Sequence, residues 1–129
     1  MSIRPEWLFV PDVKNWLPAS GRVIWISRQI RTKRALIGTL RRRLPLPSCY
    51  GENWDALRDA LLGLNRADLN GGVALVHDGL PFSTNSARNL TNYLAILTDV
   101  LESSTADGLP WQIVFPESCR EELLHFTGM

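Results

Sequence analysis

Three carboxylates stand close together in one short segment of the chain. Glu52, Asp55 and Asp59 follow a loop that ends in Tyr50 and Gly51, and a helix advancing about 100° per residue would carry all three on one face. Such a cluster can occupy a cationic pocket that evolved to hold a nucleic-acid backbone, because a carboxylate imitates a phosphate. The helix dipole fully explains the acids of a first turn, Glu52 and Asp55, whereas Asp59 lies beyond that turn. From these residues alone, a solvated face is favoured over a binding site.

Catalytic chemistry is the weaker interpretation of these residues. Asp55 and Asp59 have the types needed for a general acid and base, and Cys49 could act as a nucleophile with His77 or His125. No spacing in the sequence pairs the thiol with either histidine, so a packing or contact cysteine is favoured. The sequence contains neither a glycine-rich phosphate loop nor a His-x-x-x-His pair. We therefore predict no enzyme activity, no cofactor and no metal site.

Length and composition restrict the class of protein. The chain has 129 residues, of which 45% are apolar and 21% are charged, as expected for one globular domain. It has no apolar run long enough to span a membrane, no signal-peptide pattern and only two cysteines, Cys49 and Cys119. We expect a reduced cytoplasmic protein, monomeric when free, with no membrane partner.

Helices and strands alternate after the first 20 residues, and each has its own local signal. Apolar runs predict strands at 22–27, 73–77 and 111–115, and helical spacing predicts helices at about 33–43, 53–64 and 86–103. Thr32 and Asn53 are good N-caps for the first two helices. Pro45 and Pro47 end the first, because neither can continue its hydrogen bonding. On the second helix the apolar side chains share the face opposite the carboxylates.

This order, β-α-α-β-α-β, predicts an α/β fold with a small, three-stranded, mainly parallel sheet packed with helices. The domain would span 21–116, preceded by an N-terminal extension at 1–20 and followed by a tail at 117–129. Within the extension, 7–10 could widen the sheet as an edge strand, and 12–17 could form one helical turn. The tail could be a short helix at 119–126 or a frayed end.

The run Leu-Pro-x-x-Tyr-Gly-x-Asn-Trp-Asp-Ala-Leu, from Leu46 to Leu57, resembles the signature of the barstar family of ribonuclease inhibitors. Strands and helices on both sides follow the family's order over about 21–116. The resemblance implies an intracellular inhibitor, an immunity protein or antitoxin, that binds a ribonuclease or related toxin. The loop and helix at 46–63 would block the active site of that partner.

The resemblance also implies which residues touch the partner. Asp59 would lie where substrate phosphate binds, and Asp55 would add a second acidic contact. The family places a glutamate late in its long helix, and Glu102 is the nearest residue here, with Asp99 one turn earlier. The implied contact residues are Cys49, Tyr50, Gly51, Asn53, Trp54, Asp55, Arg58, Asp59, Gly63 and Glu102. Of these, Trp54 could instead face the core.

Two alternatives stay open. Cys49 and Arg58 stand where the family's best-known inhibitor has aromatic side chains, which would suit a barstar-like scaffold that binds a different protein. Residues 1–47 hold ten basic and two acidic side chains, and 48–129 hold four and eleven. A basic helix at 28–43 could therefore bind RNA phosphates, although the lack of aromatic residues among its arginines disfavours this. Its basic residues are Arg28, Arg31, Lys33, Arg34, Arg41, Arg42 and Arg43.

Overall fold

A computed structural model describes residues 6–16, 21–46, 53–64, 71–82, 87–103 and 110–127. Its strands are β1 (Glu6–Val10), β2 (Arg22–Ile26), β3 (Val73–His77) and β4 (Trp111–Pro116). Its α-helices are α1 (Lys33–Arg43), α2 (Trp54–Leu62), α3 (Ala87–Ser103) and α4 (Arg120–Thr127). Short 3-10 turns cover Val13–Asn15 and Glu117–Cys119. The predicted order of elements is confirmed, and the tail carries a helix.

The sheet has four strands in the order β1-β4-β3-β2, all parallel. The sheet therefore has one strand more than the three predicted within the domain, and the fourth is the edge strand that the N-terminal segment was expected to add. The segment before the domain supplies β1, which pairs with β4 along its whole length, from Glu6 opposite Gln112 to Val10 opposite Pro116. Unbroken apolar strands suit such a sheet because a parallel sheet is normally covered on both faces.

The four α-helices share one core with one face of the sheet. Alternation along each strand sends Ile24 and Ile26 of β2 into this core, while Val23 packs in a smaller cluster on the opposite face. That second cluster contains Val13 from the first 3-10 turn. Trp25 also alternates away from the helices and remains 49% exposed.

A close backbone approach fixes the start of β3. Gly72 has a φ of +108°, and a side chain there would put its Cβ 2.6 Å from the Pro110 carbonyl oxygen. The Val73 amide donates to that same oxygen at 3.0 Å. Only glycine tolerates both the left-handed backbone and the contact, so the residue before this strand has to be a glycine.

Two polar groups meet in the core, the imidazole of His77 at the end of β3 and the hydroxyl of Tyr93 on α3. The Nδ1 of His77 lies 3.0 Å from the Val114 carbonyl oxygen and its Nε2 lies 2.6 Å from the Tyr93 hydroxyl. A carbonyl oxygen only accepts, so Nδ1 carries the proton and Nε2 accepts from Tyr93. Burial lowers the pKa of His77 to about 3 and raises that of Tyr93. The histidine is therefore neutral, fully buried and hydrogen-bonded at both ring nitrogens.

Among the residues that the structure describes, no helix is both long and apolar enough to cross a bilayer.

Candidate partner-binding site

Seven of the ten predicted contact residues lie in the described part of the chain. Six of them belong to α2 or its two ends, and Glu102 is exposed near the end of α3. The predicted loop contacts Cys49, Tyr50 and Gly51 lie outside the described residues. The described part of the predicted site therefore consists of α2, its two ends and Glu102 on α3.

The start of α2 is held by Asn53. Its side-chain Oδ1 accepts hydrogen bonds from the amides of Asp55 and Ala56, at 2.7 and 3.4 Å. This satisfies two of the amides that a helix leaves without partners at its first turn. The predicted cap is confirmed, and it sets the direction in which the helix leaves the preceding loop.

The inner face of α2 fastens it to the core. Leu57 and Leu61 are completely or almost completely buried. Trp54 is half-buried and meets the Phe82 ring edge-on, with centroids 6.1 Å apart. Trp54 is thus shared between the core and the surface, so it both anchors the helix and leaves part of its ring accessible.

Phe82 is a supporting residue that the sequence did not reveal. It is buried, and its φ of 61° is the one left-handed value recorded for a non-glycine residue in the described ranges. Its amide donates to the Ile30 carbonyl oxygen at 2.9 Å, and its ring also meets Tyr93 edge-on. Phe82 therefore has a strained backbone and forms the buried surface against which the Trp54 ring packs.

The outer face of α2 carries the two predicted acidic contacts. Asp55 and Asp59 are both exposed, and the Asp59 side chain is 78% accessible. Positions four apart are neighbours on a helix surface, so the structure does bring these carboxylates together. Their accessibility leaves them able to meet a cationic partner without any movement of the helix.

Arg58 lies between the two carboxylates in sequence but turns mainly toward α3. Its Nε donates to Asp99 Oδ2 at 2.7 Å, and its Nη1 lies 3.6 Å from Asp59 Oδ1. The hydrogen bond to Asp99, followed by the charge of Asp99, raises the pKa of Arg58. Asp99 therefore offsets the positive charge that the sequence places on this face.

In the sequence, Asp99 is identified only as lying one turn before Glu102. The pairing with Arg58 spans 41 residues, and no periodicity could reveal it. The opposite charges and the helical position of Asp99 were visible, but the way α2 packs against α3 was not. Arg58 therefore lies beside three acidic side chains, Asp55, Asp59 and Asp99, and a fourth, Glu102, follows Asp99 on α3.

The last predicted contact on α2 is Gly63, the C-cap. Its amide donates to the Asp59 carbonyl oxygen at 3.0 Å, and its backbone stays in the ordinary right-handed region. Gly63 is exposed, so its value to the site lies in leaving the end of α2 unobstructed.

Within the described residues, no group of three or more metal-ligating side chains was found.

Comparison with known families agrees with this geometry. A family model described as Barstar (barnase inhibitor) matches residues 22–116. The match includes α2, Asp99 and three of the four strands, and leaves β1 outside. A search of the curated proteins found no match.

Proposed function

Because this chain belongs to the barstar family, we propose that it binds a ribonuclease or a related toxin in the same cell. In this proposal the loop and helix at 46–63 enter the active site of the partner and exclude its substrate. The chain acts by occupancy and carries out no reaction of its own. Its partner-binding residues are those predicted from the sequence, with Asp59 as the main anchor and Asp55 as the second.

The observation that supports this proposal most directly is the pair of exposed carboxylates on a helix that is capped and packed against the core. Asp55 and Asp59 project from the side of α2 that faces away from Leu57 and Leu61. A ribonuclease active site must be cationic to bind phosphate, so it offers the complementary charge. Because α2 is already capped and packed, little conformational entropy is lost when the partner binds.

Arg58 bears on which partner is bound. Its side chain is 43% accessible and is held by Asp99, so the binding surface alternates negative and positive charge. Asp99 offsets part of the Arg58 charge, and the accessible remainder would still repel a partner that presents only cations at this point. We propose that the partner places a polar or acidic group opposite Arg58, beside the cations that meet Asp55 and Asp59.

The test is capture of partners by the wild type and by Asp55→Ala/Asp59→Ala, followed by assay of the captured protein for ribonuclease activity. The matched control is Glu121→Ala/Glu122→Ala, which removes the same charge from the exposed first turn of α4. We expect one ribonuclease or toxin that is held and inhibited by the wild type and the control, and is lost by the α2 variant.

Two results would contradict the proposal. If the same proteins bind all three variants, the acidic face of α2 is only a solvated surface. If the protein captured through α2 has no ribonuclease or toxin activity, the scaffold serves a different partner, as Cys49 and Arg58 would suit.

A further inference from the structure

A second surface, unrelated to α2, carries charge of the opposite sign. An open groove of about 630 Å³ runs between α1 and the segment that follows β2. Arg34, Arg41 and Arg42 line it from the helix, and Ser27 and Gln29 line it from the segment. Among the described residues that line the groove, none is acidic and none is aromatic. We propose that this groove binds the phosphodiester backbone of single-stranded nucleic acid.

The helix itself explains why the groove is so basic. Five of the eleven residues of α1 are Lys or Arg and none is acidic. Its last turn is Arg41, Arg42 and Arg43, where cations stabilise the helix dipole. The positive charge is thus compatible with a stable helix.

The shape of the groove places donors where a phosphate chain can reach them. Gly38 gives the helix no side chain in the middle of the groove, and a Cβ added there would approach only the end of Arg42, at 3.7 Å. Arg42 is steadied by a contact of 3.4 Å from Nη2 to Thr39 Oγ1. Arg34 and Arg41 are seven positions apart, or about 10 Å along the axis. Guanidinium groups spaced along the α1 side of the groove suit an extended chain of phosphates.

A membrane surface fits this groove less well than a nucleic acid. The apolar side chains of α1, Leu36, Ile37 and Leu40, are buried in the core, so the helix has no apolar face to insert between lipids. Basic charge alone gives weak membrane attachment, since stable binding of a helix also requires buried apolar area.

The chemistry of the lining also predicts how binding should behave. In the described part of the chain no aromatic ring lines the groove for bases to stack on, and the exposed Trp25 lies on the sheet face opposite the helices. Recognition is therefore of phosphates and independent of base sequence. Three arginine contacts predict that log Kobs falls with log salt with a slope of about −2 for a single strand. The dissociation constant should lie between about 1 and 100 µM at physiological salt.

The experiment measures fluorescence anisotropy of a labelled oligouridylate of about 12 nucleotides, and of a DNA strand of equal length, between about 50 and 200 mM salt. The wild type should bind both strands with similar affinity and a slope of about −2. Arg41→Gln/Arg42→Gln should weaken binding at the lowest salt at least about tenfold and reduce the slope to about −1. Arg88→Gln/Arg120→Gln removes the same charge from exposed positions of α3 and α4 and should leave binding unchanged.

Circular dichroism of each variant verifies folding, and Asp55→Ala/Asp59→Ala should bind the strands as the wild type does. This inference does not depend on the proposed inhibition, because the groove shares no residue with α2. Equal binding by wild type and Arg41→Gln/Arg42→Gln would overturn it. So would tighter binding to vesicles containing phosphatidylserine than to either strand, or a low-salt dimer that Asp55→Ala/Asp59→Ala abolishes.

Discussion

Asp59 exposes 78% of its side chain, while Arg58 beside it is turned toward Asp99 by a hydrogen bond of 2.7 Å. Adjacent residues on one helix thus have opposite charges and different surroundings. The carboxylate is left to solvent and to a partner, and the guanidinium is held by the neighbouring helix. At this scale the site depends on where each charge can point as well as on which charges are present.

Replacing Asp59 with alanine should weaken the partner complex by at least about 2 kcal/mol, roughly thirtyfold in Kd. The size is carried over from the family's own pair, barnase and barstar, where such a charge is a hot spot. Calorimetric titration of the captured ribonuclease measures it. Glu121→Ala on α4 is the control, and a loss below about 0.5 kcal/mol for Asp59→Ala would remove Asp59 from the interface.

Asp99→Asn should reduce partner affinity although Asp99 is not itself a predicted anchor. Without that carboxylate, Arg58 is free to turn toward Asp55 and Asp59 and to neutralise them. We expect association to slow roughly tenfold, since charge on the rim acts mainly on the association rate. Stopped-flow binding measures this rate. Arg58→Ala/Asp99→Asn should recover the wild-type rate, and a double variant as slow as Asp99→Asn would contradict the explanation.

At the scale of elements, α2 is a short helix whose orientation depends on its two ends and one buried face. Asn53 caps the start, Gly63 ends the helix, and Leu57 and Leu61 attach it to the core. Nine residues are too few to form a stable helix alone in water. Its caps and packing therefore determine whether the carboxylates are presented together.

Asn53→Ala should destabilise the fold by about 1 kcal/mol, because two first-turn amides lose their acceptor. Asn53→Asp should retain most of the stability, since aspartate caps helices equally well. Urea unfolding followed by circular dichroism measures both. Equal stability of Asn53→Ala and the wild type would show that water or another group replaces the cap.

At the scale of the whole molecule, the sheet is completed by a strand outside the region that matches the family. β1 covers the free edge of β4, and its Trp7 ring stacks on Phe115 with centroids 6.1 Å apart. Phe9 packs against the same core and lies under the guanidinium of Arg120 on α4, 4.8 Å away. The first strand therefore connects the sheet to the last helix.

Removing residues 1–20 should lower the free energy of unfolding by at least about 3 kcal/mol, because Trp7 and Phe9 lose their burial. The exposed edge of β4 should also promote association between chains. Urea unfolding and sedimentation velocity measure the two effects. Deleting only 1–5 leaves β1 intact and is the control; full stability without residues 1–20 would show that β1 is dispensable.

The fold should lose stability in mild acid because of His77. Its pKa falls from about 6.5 to about 3 on folding. Between these two pH values the unfolded chain binds a proton at His77 that the folded chain does not bind. Stability from this residue is complete above pH 6.5 and falls by about 1.4 kcal/mol per pH unit towards pH 3. Unfolding of the wild type and His77→Gln between about pH 7 and 4.5 tests this. The stability gap between them should narrow with falling pH, and a constant gap would contradict a neutral buried His77.

Local sequence patterns predicted the order of elements, the caps Thr32 and Asn53, and the acidic outer face of α2. These features follow from local rules, since periodicity assigns an element and its faces, and a cap acts within three residues. The family signature at Leu46–Leu57 is likewise a local pattern. Local patterns of this kind can be recognised without knowing which elements pack together.

The remaining features depend on contacts between distant parts of the chain. The pairing of Arg58 with Asp99 and the bond from His77 to Val114 join residues 41 and 37 positions apart. Distant segments also meet where β1 pairs with β4 and where Trp54 packs against Phe82. Contacts of this kind arise from the simultaneous packing of several elements, and the periodicity of one segment carries no information about its neighbours in space.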